Sequence, residues 1–104
     1  LIMRVVLTNN ARISIKEAAR YVKLQFGAKR SNQFRDEVFK AIDNLAVNPN
    51  LGHITDFIPD NESQYRILVI NRINSLIYYV EGNDLVISYC WDNRQNPETM
   101  KDKI

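Results

Sequence analysis

Arg66 and Arg94 are the two side chains of this sequence best suited to gripping a phosphodiester. A guanidinium presents five donors in a planar fork and keeps its charge near neutrality. Arg66 lies one residue inside the run YRILVI (Tyr65–Ile70), whose period-two neighbours Leu68 and Ile70 share its face. Arg94 sits in the polar stretch Asp92-Asn93-Arg94-Gln95-Asn96-Pro97, just past Trp91. Tyr65, Tyr78, Tyr79, Tyr89 and Trp91 add ring faces on which bases stack. Each ring also has a plainer role in sheet packing. Each arginine has a plainer role too, as partner of a local acid such as Asp92 or Glu81.

A second group of cations is independent of these. Arg12, Lys16, Arg20 and Lys23 recur at helical spacing and form a basic stripe. Helical projection centres it roughly 90° from the apolar stripe of the same segment, which leaves it exposed or at the margin of the core. It is either a solvated helix face or a docking surface for an acidic partner segment. Long basic stems can also cover apolar surface there.

Other chemistries lack their residues. There is no P-loop, no G-x-S-x-G and no cluster with metal spacing, so no metal and no cofactor are expected. The one histidine, His53, follows Asn50-Leu51-Gly52 and reads as loop packing. A lone cysteine, Cys90, excludes an intrachain disulfide and a thiolate metal site, and its strand position reads as a small buried hydrophobe.

At 104 residues, 45% hydrophobic and 25% charged, the chain reads as one globular domain over residues 1–104. No apolar run approaches the roughly 20 residues that span a bilayer. No signal segment opens the sequence, so a cytoplasmic protein without membrane contact is the expectation. Met3, after Leu1 and Ile2, is a candidate natural start. The net charge of +2 is uneven: residues 1–52 hold nine Lys/Arg against four Asp/Glu, and residues 53–104 hold five against eight. The first half therefore offers a cationic surface.

The elements that must carry these residues follow from periodicity. Met3 to Thr8 reads as a strand buried on both faces, with Asn9 and Asn10 supplying the cap of the helix after it. Ile15, Ala19, Val22 and Phe26 make that helix's core stripe, and Gly27 is a left-handed stop. A second helix starts near Ala28 to Ser31, buries Phe34, Val38, Ala41, Ile42 and Leu45, and ends at Asn48-Pro49. His53 to Gln64 reads as a surface loop. Three strands follow, Tyr65–Ile70, Ser75–Glu81 and Leu85–Trp91, and Pro97-Glu98 opens a short terminal helix. The order β-α-α-β-β-β predicts an α+β fold. A helical hairpin covers one face of a small, mostly antiparallel sheet, the first strand pairs parallel to a later one, and Arg66 and Arg94 are displayed together.

That order resembles the RelE/ParE family of bacterial toxin–antitoxin toxins, from the first strand to Arg94-Gln95-Asn96-Pro97. The residues that carry the likeness are Phe34…Leu45…Asn48-Pro49…Gly52, Tyr65-Arg66, Ile77-Tyr78-Tyr79-Val80 and the terminal arginine motif. The resemblance implies an antitoxin whose partly disordered C-terminal segment wraps the toxin, here placed on Arg12, Lys16, Arg20 and Lys23. It also implies one of two targets. ParE-like members inhibit DNA gyrase and block replication in plasmid-stabilising systems; RelE-like members are mRNA interferases that cut messages on the ribosome. Mapped by motif, Arg66 and Arg94 fill two cationic positions of the nuclease set. Leu68 stands where a lysine is expected, and Ser75 at the strand-three arginine, with Arg72 close by. No tyrosine or histidine follows Arg94, which leaves Tyr89 as the available proton-transfer group. The ParE-like reading leads by subtraction, with target contacts expected from Tyr65, Arg66, Arg72, Trp91, Arg94 and Gln95. The alternative is the ribosome-dependent endoribonuclease, with Arg66 and Arg94 on the scissile phosphate.

Overall fold

Thr8 opens the first helix by turning its side chain back on the chain. Its Oγ1 accepts from the Ala11 backbone N–H at 3.0 Å, satisfying a donor that every helix start leaves free. The same hydroxyl donates to the Ser88 carbonyl oxygen at 3.0 Å, so the cap also ties the helix to the sheet. Asn9 and Asn10, expected as caps, instead form the first turn of helix α1 (Asn9–Phe26). Thr8 wins because it alone holds both bonds from one extended residue.

Gly27 separates α1 from helix α2 (Ala28–Val47). Its φ of +93° with ψ of 170° is a conformation essentially reserved for glycine, extended rather than left-handed helical. Beside the junction, the buried Ser31 donates to the Ala19 carbonyl oxygen at 2.7 Å and pins the two helices together. The stop expected at Asn48-Pro49 holds, with Asn48 as the cap.

The structure is a computed structural model that describes residues 2–59 and 63–104. Asp60, Asn61 and Glu62, part of the expected surface loop, lie outside the described residues. Five strands form one sheet: β1 (Arg4–Leu7), β2 (His53–Ile54), β3 (Arg66–Val69), β4 (Asn74–Glu81) and β5 (Asp84–Asp92), in the order β1-β5-β4-β3-β2. As expected, β1 runs parallel to a later strand, β5, and the other pairs are antiparallel. Two expectations are corrected. His53 and Ile54, read as loop, pair with Ile67 and Arg66, a strand too short to carry a period. β1 is not buried on both faces; it is the sheet's edge, and Val5 is exposed.

β4 and β5 join through a two-residue turn in which Gly82 takes φ +60°, the geometry that matches the twist of paired strands. Farther along this pair, Ile77 faces Tyr89 while Tyr78 faces Ile87, so Ser88 is skipped. That bulge reverses which residues point to which side. Leu85, Ile87 and then Cys90 face the helices, whereas Tyr89 and Trp91 face away.

Both sheet faces are covered. On one, Ile15, Ala19 and Val22 of α1 and Phe34, Val38, Ile42 and Leu45 of α2 pack on Leu76, Tyr78, Leu85 and Ile87. Phe26 was expected in this stripe but is 63% exposed, because it ends the helix at the tip of the hairpin. On the other face Ile58, Tyr65, Ile67, Ile77, Trp91 and Met100 form a second core. Met100 comes from the terminal 3₁₀ helix (Pro97–Lys103), whose start is capped by Asn96 accepting from the Glu98 N–H at 3.1 Å. Among the described residues no helix is long and apolar enough to cross a membrane.

Candidate functional site

Arg66 enters β3 opposite Tyr78, on the face that Leu68 and Ile70 share. Its Nη1 donates to the Gly52 carbonyl oxygen at 2.7 Å. The Tyr78 hydroxyl donates to the Pro49 carbonyl oxygen at 2.7 Å and accepts from the Gly52 N–H at 2.9 Å. Burial pushes the Tyr78 phenol up, so it stays a neutral donor. A side chain at position 52 would place its Cβ 2.6 Å from that hydroxyl, which is why glycine stands there. Arg66 thus fixes the path of the chain from α2 into β2.

Arg94 lies at the opposite end of the strands. Asp92 takes its Nε at 3.0 Å and its Nη2 at 2.9 Å, and also accepts the Arg94 backbone N–H at 2.9 Å. The remaining Nη1 reaches the Tyr21 hydroxyl at 3.3 Å. Arg94 holds the Asp92 carboxyl below the usual carboxylate range, mainly by the hydrogen bond it donates, and its own pKa is raised by the same contact. The ion-pair role is therefore occupied by Asp92, while over half of the Arg94 side chain stays exposed.

The two arginines are not displayed together, contrary to the expectation. Arg66 is in register with Tyr78, and Asp92 with Asn74, four residues away along β4. Strand geometry makes that roughly 13 Å along the strands and about 10 Å across them, before Arg94 is reached. Two of the expected target-contacting rings are also inside the molecule. Tyr65 and Trp91 are 8% and 4% exposed, and Tyr65 packs edge-on against Tyr79 at 5.1 Å.

What the structure does bring together is Arg72, Arg94 and Gln95. Asn93 is the link: its backbone N–H reaches the Ile73 carbonyl oxygen at 2.7 Å. Its Nδ2 donates to the carbonyl oxygens of Asn71 and Arg72 at 3.2 and 3.4 Å, and its Oδ1 accepts from Ser75 Oγ at 2.6 Å. Asn71 in turn caps the β3–β4 turn by accepting from the Ile73 and Asn74 N–H groups at 2.8 Å. The turn bearing Arg72 and the loop bearing Arg94 are therefore tied into one unit, and Arg72, Arg94 and Gln95 are all exposed on it.

Beside this unit a cleft of about 340 Å³ opens between α1, the end of β5 and the 3₁₀ helix. Glu17, Tyr21, Tyr89, Asp92, Arg94 and Lys103 line it together with smaller polar groups. Tyr89 and Arg94 therefore share one surface, with the Tyr89 phenol pushed up by burial and then by the charge of Glu17. Cys90 also lines the cleft, but burial pushes its thiol up to about 12, so it is a packed, unreactive thiol. Glu17, Tyr21 and Lys103 were not singled out from the sequence. Projection alone sets Tyr21 on the flank of α1 away from the basic stripe, but its partner depends on the register of β5.

The basic stripe behaves differently from either arginine. Arg12, Lys16, Arg20 and Lys23 are all exposed, and none takes part in an ion pair among the described residues. Ile13 and Leu24, 54% and 72% exposed, lie alongside on the same outward face of α1. The stripe is thus a cationic row beside exposed apolar groups.

Over residues 5–97 the sequence matches the family described as ParE toxin of type II toxin-antitoxin system, parDE. No curated protein matches it. Among solved structures it is similar to a chain described as "Chromosomal ParDE TA system from P. aeruginosa", with a TM-score of 0.70 at 16% identity. The likeness covers 88% of this chain and 96% of that one, and it speaks for the shared fold. The family match runs from β1 to the residue that opens the 3₁₀ helix and so includes Arg66, Arg72, Arg94 and the basic stripe. The chain belongs to the ParE toxin family of type II toxin–antitoxin systems.

Proposed function

We propose that this protein is a cytoplasmic toxin that inhibits DNA gyrase, blocks replication and is held inactive by a cognate antitoxin. The separation of Arg66 from Arg94 is the observation that carries the non-catalytic reading. In-line RNA cleavage needs a proton acceptor, a proton donor and cations for the developing charge around one phosphate. Here one cation is tied to the Gly52 carbonyl and the other lies at the far end of the sheet. Each missing catalytic group typically costs about 10²–10⁴-fold in rate. The exposed unit of Arg72, Arg94 and Gln95 is then the target-contacting surface; Trp91 supports it from within the fold, whereas Tyr65 and Arg66 hold the other end of the sheet. Purified protein is expected to inhibit gyrase supercoiling in vitro. Normal supercoiling at saturating protein would sink this reading.

The antitoxin is assigned to the basic stripe. Four cations without an ion pair among the described residues, beside Ile13 and Leu24, suit an acidic, amphipathic segment, and attraction of this kind is screened by salt. Reversing Arg12, Lys16, Arg20 and Lys23 to glutamate should weaken antitoxin binding sharply and flatten its salt dependence. Unchanged affinity would remove that placement.

One observation favours a second reading, the ribosome-dependent endoribonuclease: Tyr89 and Arg94 line the same cleft with Glu17. Primer extension on translated messages would then show cuts that vanish in Arg94→Ala and Tyr89→Phe. Intact messages during growth arrest would rule it out.

A further inference from the structure

We infer that the groove at the tip of the helical hairpin is the anchoring point for the antitoxin segment, taking one apolar side chain between flanking acids. This rests on the antitoxin reading above and adds where the segment is fastened and along which helix it lies. The groove, about 210 Å³, is floored by Val22, Phe26, Phe34 and Ile73 and rimmed by Arg30 and Arg72. Among the described residues its one acid, Glu37, already faces Arg30 at 3.8 Å. Arg72 has no ion pair among the described residues.

Phe26 is the telling residue. Helical periodicity assigns it to the core, yet it is 63% exposed. Lys23 precedes it and Lys29 follows Gly27, both exposed, so two further cations lie near the hairpin tip in sequence beside the rim of Arg30 and Arg72. An apolar hollow inside a cationic rim matches an apolar side chain with carboxylates on either side. A nucleic acid would meet the cations, but the hollow holds one or two side chains and lies below the usual size of small-molecule pockets.

The groove is also continuous with the stripe, because Lys23 is the stripe's last member and lies within one turn of Phe26. From Arg12 to Phe26 along α1 is about 21 Å at 1.5 Å per residue. The partner segment therefore places its apolar anchor at the hairpin tip and spreads acids over about that length, as roughly fourteen helical or six extended residues.

Calorimetric titration of the purified protein encoded by the reading frame beside this gene tests the assignment. Phe26→Ser and Arg72→Ala alter exposed side chains, and an unchanged melting temperature in each confirms an intact fold. Both are expected to weaken binding about tenfold or more, as hot-spot residues do, and Arg72→Ala also lowers the salt dependence. Wild-type affinity in either variant, while reversal of the α1 stripe weakens binding, overturns the groove and leaves the antitoxin on the stripe. Loss in both with the stripe reversal silent keeps the groove and discards the path along α1. No binding to the wild-type protein overturns both. A single-stranded oligonucleotide that binds the wild type and is lost in both variants makes the groove a nucleic-acid site, which also overturns the proposal.

Discussion

The guanidinium of Arg94 stands 5.1 Å from the centre of the Tyr21 ring and donates to the same residue's hydroxyl, joining the segment after the last strand to the second half of α1. Tyr21→Leu removes both contacts while leaving the Asp92 pair in place. It is expected to lower the urea midpoint slightly with an unchanged m-value. If Arg94 belongs to the target surface, Arg94→Ala abolishes growth arrest far beyond what Tyr21→Leu does.

Gly52 and Tyr78 make a sharper test of stability. Gly52→Ala drives a Cβ against the Tyr78 hydroxyl and is expected to cost about 1–3 kcal/mol. Tyr78→Phe leaves the Pro49 carbonyl and the Gly52 N–H without their partner and should cost about 1–3 kcal/mol. Urea unfolding measures both. Wild-type stability in both variants would show that this knot does not hold the loop.

The two cores should fail by similar amounts. Leu76 is 0% exposed under the helices, and Met100 is 2% exposed against Trp91 on the other face. Leu76→Ala and Met100→Ala are each expected to cost about 2–5 kcal/mol. A negligible effect of Met100→Ala would mean that the 3₁₀ helix merely rests on the sheet.

Acid should weaken the fold through two carboxylates. Asp92 is held low by the hydrogen bond from Arg94, and Asp84 by that from Arg4. Since their folded pKa values lie below the unfolded ones, the unfolded chain binds more protons as the pH drops. Their contribution is complete above the unfolded pKa of about 4 and is lost as pH falls through the lower folded values. Asp92→Asn should therefore flatten stability measured between about pH 2 and pH 6. An unaltered acid limb would assign the loss to other groups.

Much of this fold was legible because helices and strands bury one face at their own period. Ile15, Ala19, Val22, Phe34, Val38, Ile42 and Leu45 all lie where three-and-four spacing put them. Phe26 does not, since periodicity describes a helix without saying where the sheet beneath it ends. Asn9 is an equally good cap by composition, but only Thr8 also meets Ser88 across the chain. The skipped Ser88 leaves no mark in LVISYCW, and yet it decides that Cys90 rather than Tyr89 faces the helices. The separation of Arg66 and Arg94 depends on strand register, and both residue types suited the anion equally well before that register was known. The basic stripe was legible because exposure on a helix needs only the helix's own geometry.

The segment that carries Arg94 and Gln95 outward also drives Met100 inward, as the stopper of the second core. Shortening the C-terminus would strip the surface and uncork the interior in one step. Harmlessness of such a shortened chain to a cell would thus be silent about recognition, and inheritance can vary the outward groups only while the stopper stays seated.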